Sequence, residues 1–179
     1  GSGRLGRAFV SPSGKGLYMS VIIRPDYSTE TASLITSATA CGAAEAVENL
    51  CGSEVRIKWV NDLYMHGKKI CGILTEASLG LEMRTLDYAV IGIGVNVRKI
   101  GQSFDSDLGM RATSIEDVTD LKLNRNELCA EILNCLEIYL DSLEERGFLA
   151  EYRRRELLTG NLITANIGGE TITAKAVGI

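Results

Sequence analysis

One segment constrains the fold of this chain more than any other: residues 87–97, which read DYAVIGIGVNV. The segment is short, apolar and rich in β-branched residues, which predicts a buried β-strand. Because side chains alternate along a strand, Gly92, Gly94 and Asn96 share one of its faces. The glycines open room on that face and the asparagine supplies a donor and an acceptor, which suits a flat heteroaromatic ring or a phosphate. The alternative is that the glycines mark bulges in a sheet.

The remaining pattern predicts clustered strands flanked by separate long helices. Strands are predicted at residues 17–23, 54–59, 63–65, 69–76, 161–166 and 170–177, helices at 30–50, 125–146 and 148–158, and a polar surface loop at 98–112. The turns at 66–68 and at Gly168-Gly169 predict hairpins. We therefore expect an α+β fold, a mixed sheet packed with helices, rather than regular βαβ winding.

The composition excludes several classes of protein. The 179 residues carry a net charge of −4, unlike the basic surface of a nucleic-acid-binding protein, and no apolar run approaches a membrane span. The basic cluster Arg153-Arg154-Arg155 lies in a helical stretch, so we interpret it as a solvated face. Five cysteines without CxxC spacing predict buried, reduced thiols in a cytoplasmic protein. The single histidine, His66, lies in a polar turn and argues against a His-rich zinc site and against Ser-His or Cys-His catalysis.

The first seven residues, GSGRLGR, match the pattern GxGxxG. A dinucleotide site needs a helix directly after such a loop, and Phe9 and the Ser-Pro pair that follow do not start one. The segment is better interpreted as a mobile glycine loop in which Arg4 and Arg7 donate to an anion. A plain flexible terminus is the alternative.

Two further segments combine strands with polar groups. One strand ends in KWVND, whose Asn61-Asp62 pair either projects into a site or forms an ordinary strand-end turn. In the next strand, simple alternation places Lys69 on the face of Cys71, and Gly72 favours close approach of a ligand or of another backbone. Such a lysine either serves an anionic ligand or is an edge-strand lysine beside a packing glycine.

Taken in order, the segments that resemble one family are GSGRLGRAFVSP, LYMSVIIRP, KWVND, KKICGILTE and GIGVNV. Their order and spacing are similar to those of the catalytic domain of biotin protein ligases, which are related to lipoate ligases, over most of residues 1–160. Residues 174–179 resemble the start of the small SH3-like domain of that family. The resemblance implies a catalytic domain at 1–158, without its N-terminal part, and the start of a truncated SH3-like domain at 159–179.

The resemblance implies ATP-dependent ligation of biotin to a lysine of a biotin carboxyl carrier protein, through biotinyl-adenylate and with Mg²⁺. The carrier lysine attacks the adenylate, so the enzyme needs no nucleophile of its own. The catalytic positions of the family are matched by Lys69, Arg4 and Asp62. The ligand-binding positions are matched by Ser2, Gly3, Arg4, Phe9, Asn61, Lys69, Gly72, Gly92, Gly94 and Asn96, and the Mg²⁺ positions by Asn96 and Asp62.

The chain departs from the family pattern at several positions. Ser2 and Leu5 replace arginines of the loop, Phe9 replaces a common tryptophan, and Val60 stands where the family has proline. The upstream segment that carries further biotin contacts in the family is absent from the sequence, so we expect the chain alone to be impaired in catalysis. A homodimer is compatible with the family. The alternatives are lipoate or octanoate transfer on the same fold, with Cys71 as a nucleophile, or a non-catalytic sensor module of a repressor.

Overall fold

The computed structural model describes residues 11–80, 85–99, 104–105 and 111–178. None of the helices in these ranges has the length and apolar character that crossing a bilayer requires. The elements are β1 (Gly16–Ile23), α1 (Thr29–Ala32), α2 (Ile35–Cys51), β2 (Arg56–Lys58), β3 (Asp62–Met65), β4 (Lys68–Leu79), β5 (Leu86–Asn96), β6 (Phe104–Asp105), β7 (Arg111–Ala112), α3 (Ile115–Thr119), α4 (Arg125–Asp141), α5 (Phe148–Arg155), β8 (Leu162–Ile167) and β9 (Glu170–Lys175).

The main sheet has the strand order β1-β5-β4-β3-β2, with all neighbours antiparallel. The short strand β7 joins β4 in parallel and β6 pairs with β7, so the sheet is mixed. This confirms the α+β fold class. The β3–β4 turn is also as expected, because His66 and Gly67 both have positive φ, 49° and 72°, as a two-residue hairpin turn requires.

The hydrophobic core lies between one face of this sheet and the helices. Ile73, Ile91, Ile93 and Val95 are buried on that face of β4 and β5. Behind it, α2 and α4 pack closely at Gly42, where an added Cβ would lie 3.2 Å from the backbone nitrogen of Leu136. The helix predicted at residues 30–50 is divided in two, and Ser28 caps the first, short part by accepting a hydrogen bond from the Thr31 amide.

The interpretation of the basic cluster as a solvated face is wrong for Arg155. Its side chain is 3% exposed, and its guanidinium lies 2.6 Å from carboxylate oxygens of both Glu48 and Glu151. It also donates to the Val55 carbonyl at 3.1 Å. Burial alone raises the pKa of Glu48, but hydrogen bonds from Arg155 and from the Val55 amide hold it below its ordinary value. The arginine therefore fastens α5 to α2 and to the start of β2.

The strands β8 and β9 form a separate two-stranded sheet. They meet at Gly168-Gly169, which have φ values of 62° and 92°, so the predicted hairpin is present. The division of the chain into a catalytic domain at 1–158 and an SH3-like segment at 159–179 stays a prediction.

Four of the five cysteines are buried, as predicted, and Cys129 is partly exposed. None of the five is paired in a disulfide in the structure.

Candidate functional site

The face of the main sheet opposite the core carries three glycines, Gly72, Gly92 and Gly94, and we call it the glycine face. The strand register aligns Tyr18, Gly94, Gly72 and Asp62 across β1, β5, β4 and β3. Directly opposed residues lie on the same face of a sheet. The two glycines therefore form a floor without side chains, bordered by a tyrosine on one side and a carboxylate on the other.

The floor has room above it at Gly92. A Cβ built on this residue would have one neighbour within 4 Å, the Leu74 carbonyl oxygen at 3.5 Å, which is ordinary van der Waals contact. The glycine is therefore not needed for close packing of the sheet. Its effect is to leave the glycine face open at this position of β5, which a flat ligand requires.

Lys69 lies on the glycine face, and the expectation from simple alternation that it shares the face of Cys71 is wrong. The register runs from Leu63 opposite Cys71 to Tyr64 opposite Lys69, so Ile70 is an extra residue in β4. Such a β-bulge puts two successive residues on one face. Ile70 and Cys71 are accordingly both buried, 0% and 1% exposed, and Lys69 turns to the face of Asp62.

Lys69 and Asp62 form an ion pair with 2.6 Å between Nζ and Oδ1. The two side chains are 29% and 26% exposed, so water and ligands reach the pair. The contribution of a pair this accessible to stability is small, because solvent screens it. Its more important effect is to fix the direction of a lysine ammonium at the border of the glycine floor.

Asn61 is placed beside this pair, but its side chain is bound to backbone. Its Nδ2 donates to the Ile73 carbonyl at 2.6 Å, and the Ile73 amide donates back to the Asn61 carbonyl at 3.0 Å. One residue earlier, the Val60 carbonyl accepts from the Tyr152 hydroxyl at 3.2 Å. The turn between β2 and β3 is thus held from both sides, and sequence reasoning gave Tyr152 no role.

Asn96 is 5% exposed and stands at the end of β5. Its Nδ2 donates to the Thr113 carbonyl at 3.1 Å, and the Thr113 amide donates to the Lys69 carbonyl at 2.8 Å. Thr113 therefore links the two predicted site residues, a contact that no sequence pattern indicated. The Oδ1 of Asn96 has no hydrogen-bond partner among the described residues.

Asp62 and Asn96 do not fit a shared Mg²⁺ site. They lie two strands and two residues apart, which corresponds to about 12 Å between their Cα atoms. Two oxygens bound to one Mg²⁺ at about 2.1 Å must approach within about 4 Å of each other, and the Asp62 carboxylate is directed to Lys69. No cluster of three potential metal ligands occurs in the described ranges.

Four predicted site residues, Ser2, Gly3, Arg4 and Phe9, lie outside the described residues. The structure brings other predicted site residues together on the glycine face: Asp62, Lys69, Gly72, Gly92 and Gly94, with Asn96 at its end. Tyr18, which borders the floor opposite Asp62, was not singled out from the sequence. Its alternation with Ser20 in a strand was the signal that would have placed it on an accessible face.

Cys71, the nucleophile required by the octanoyl-transfer alternative, lies on the core side of β4. It is 1% exposed, and burial raises the pKa of its thiol to about 12. Because the reactive form of cysteine is the thiolate, this thiol is inert at neutral pH.

Comparisons with known proteins identify the family that this chain resembles. Residues 1–96 match the model of the biotin/lipoate A/B protein ligase family. The bifunctional ligase/repressor BirA of Bacillus spizizenii is 34% identical over 148 residues, which are 83% of this chain and 45% of that protein. The biotin–[acetyl-CoA-carboxylase] ligase of Mycobacterium tuberculosis is 26% identical over 183 residues, 98% of this chain and 65% of that protein. The chain therefore spans about half the length of BirA.

Solved structures are similar over the whole chain. The biotin protein ligase from Aquifex aeolicus in complex with biotin and ATP matches with a TM-score of 0.77 and 28% sequence identity, over 99% of this chain and 73% of that chain. The likeness therefore includes both the main sheet and the β8–β9 hairpin.

Proposed function

The chain belongs to the biotin/lipoate A/B protein ligase family, and on that premise we propose that it ligates biotin to a lysine of a biotin carboxyl carrier protein, using ATP. The intermediate is biotinyl-adenylate. The proposal is supported by relatives named as biotin ligases and by the fold shared with a ligase bound to biotin and ATP. A cytoplasmic location, where ATP and reduced thiols are found together, belongs to the same proposal.

In the first half-reaction, a carboxylate oxygen of biotin bonds to the α-phosphorus of ATP. The bond from that phosphorus to the oxygen bridging to the β-phosphate breaks, and pyrophosphate leaves with the electron pair. Two anions must approach each other, so a fixed cation is needed where they meet. Lys69 is the described residue best suited to this role, because Asp62 holds its ammonium at the border of the glycine floor.

In the second half-reaction, the amine of the carrier lysine bonds to the carbonyl carbon of biotinyl-adenylate. The carbon–oxygen bond to AMP breaks, and the amine loses a proton to solvent. No nucleophile of the enzyme takes part. This agrees with the inert thiol of Cys71, whose pKa burial raises to about 12.

The observation that carries the proposal is the glycine face, which has open space at Gly92 and lies beside the Lys69–Asp62 pair. A thin, flat ligand fits over a strand pair without side chains, and the ammonium at the border neutralises the negative charge that the reaction brings there.

The experiment that tests the proposal uses the complete protein in which the chain occurs. The protein is incubated with biotin and α-labelled ATP, and biotinyl-adenylate and pyrophosphate are measured, with lipoate and octanoate in parallel reactions. Adding a carrier domain should then consume the adenylate and label one lysine. Adenylation of lipoate in preference to biotin would overturn the substrate assignment, and ligand binding without pyrophosphate release would establish a sensor instead.

A further inference from the structure

Tyr152 is a buried tyrosine whose hydroxyl reaches the turn between β2 and β3. It lies on α5 and is 2% exposed, and its hydroxyl donates to the Val60 carbonyl at 3.2 Å. Burial raises the pKa of this hydroxyl, so the group stays protonated and able to donate. A buried hydroxyl is unfavourable without a hydrogen bond, whereas phenylalanine would fill the same space without needing a partner. The contact with Val60 is therefore what distinguishes this residue from an apolar core residue.

The helix that carries Tyr152 is fastened to the sheet by contacts that do not involve this turn. Arg155, three residues further along α5, donates to the Val55 carbonyl at 3.1 Å and pairs with Glu48 of α2 at 2.6 Å. Val55 precedes β2 and Val60 follows it, so α5 holds this short strand at both of its ends. The position of the tyrosine hydroxyl is thus set by the helix, and the turn is held against it.

The turn leads directly into the proposed reaction site. After Val60 comes Asn61, which is bonded through its backbone and its side chain to Ile73 of β4. Asp62 is the next residue and the first of β3, and its carboxylate lies 2.6 Å from the Nζ of Lys69. The carbonyl that Tyr152 holds is therefore two residues away from the carboxylate that directs the lysine ammonium.

We propose that Tyr152 is a positioning residue, which acts through the β2–β3 turn and Asp62 to set the direction of the Lys69 ammonium. The inference rests on the proposed function, in which Lys69 serves the adenylation step. Tyr152 itself belongs to the hydrophobic core, and the turn transmits its effect. A cation that is fixed in advance stabilises a transition state without reorganisation, so the effect falls on the rate of adenylation rather than on ligand affinity.

The first test is Tyr152→Phe in the complete protein, with rates normalised to the concentration of folded protein. The kcat for adenylation should fall about two- to tenfold, the factor that corresponds to one neutral hydrogen bond. The KM values for biotin and for ATP should stay within about twofold, as expected when only the transition state is affected. In a Lys69→Ala background, Tyr152→Phe should have no further effect, because the residue through which it acts is absent.

The matched control is Tyr139→Phe, which also removes the hydroxyl of a tyrosine packed against the core. Tyr139 lies on α4 and donates to the Glu45 carboxylate of α2 at 2.6 Å, so the hydrogen bond that is lost joins two helices and not the turn. This variant should leave the kcat for adenylation unaltered. A loss equal to that of Tyr152→Phe would overturn the proposal, and so would a loss in Tyr152→Phe that persists in the Lys69→Ala background.

Hydrogen exchange distinguishes a failure of this proposal from a failure of the proposed function. The Ile73 amide, which donates to the Asn61 carbonyl at 3.0 Å, should exchange about two- to tenfold faster in Tyr152→Phe than in Tyr139→Phe, because the turn opens more often. Equal exchange in the two variants overturns the positioning role, whether or not the protein forms the adenylate. Faster exchange in Tyr152→Phe, in a protein that forms no adenylate from biotin, supports the hold on the turn and overturns the proposed function instead.

Discussion

The two faces of β4 and β5 differ in almost every respect, although they alternate residue by residue along the same two strands. On the core face, Ile73, Ile91, Ile93 and Val95 are 2% exposed or less. On the glycine face, the intervening positions carry Gly72, Gly92 and Gly94, which are partly accessible. The comparison teaches that burial of the core face stabilises the fold. The glycine face is not needed for that stabilisation, so it can lack side chains and leave room for a ligand.

The largest effect is expected from the core face. Ile91→Ala removes a fully buried side chain and should lower the free energy of unfolding by about 2–5 kcal/mol, because the cavity is only partly refilled. Val90→Ala, the neighbouring position on the other face, should cost about 1 kcal/mol or less. Urea unfolding of the two variants measures the difference. Equal losses of unfolding free energy in the two variants would show that the core face does not stabilise the fold more than the glycine face.

The next effect is catalytic and belongs to the glycine face. Lys69→Ala should reduce adenylation by about 10²–10³-fold, since a fixed cation in such a site contributes roughly 3–4 kcal/mol to the transition state. Stability should hardly change, because the Lys69–Asp62 pair is solvent-accessible. The matched control is Lys68→Ala, one residue away and exposed. Equal losses of adenylation activity in the two variants would show that the bulge at Ile70 does not determine which of the two lysines acts in the reaction.

A smaller effect is expected at Gly92, where a substitution should change ligand binding but hardly affect stability. Gly92→Ala should change the free energy of unfolding by less than about 1 kcal/mol, since the new methyl group meets the Leu74 carbonyl at ordinary contact distance. It should nevertheless weaken nucleotide or biotin binding measurably, because it fills the floor. Calorimetric titration of both ligands checks this. A stable variant with unaltered affinities would place the ligands elsewhere on the sheet.

The smallest effect is a pH dependence from the core side. The pKa of Glu48 is held below its ordinary value of 4.5 in the folded protein, so the unfolded chain binds more protons as the pH falls. The stabilisation is therefore present above about pH 4.5 and is lost as the pH falls through the folded pKa. Glu48→Gln should flatten this part of the stability curve between pH 7 and pH 3, measured by denaturant unfolding. Adenylation at neutral pH should be unaffected by the titration, since Glu48 is ionised there.

Much of this organisation follows from the sequence. The alternation in residues 87–97 predicted the strand, its buried face and the common side of Gly92, Gly94 and Asn96, because alternation is a property of any extended chain. The ordered segments predicted the family, and the match over residues 1–96 confirms it. The roles of the individual site residues remain predictions.

The tertiary structure alone decided the features that depend on a partner strand or helix. The side on which Lys69 projects is set by a bulge against β3, and alternation within β4 alone gave the wrong face. Arg155 is buried because Glu48 and Glu151 come from two helices that meet at it, whereas its neighbours in sequence indicated a solvated surface. Sequence determines the local periodicity of each element, but register and burial arise from contacts between residues far apart in the chain, and these are fixed only when the sheet and helices pack together.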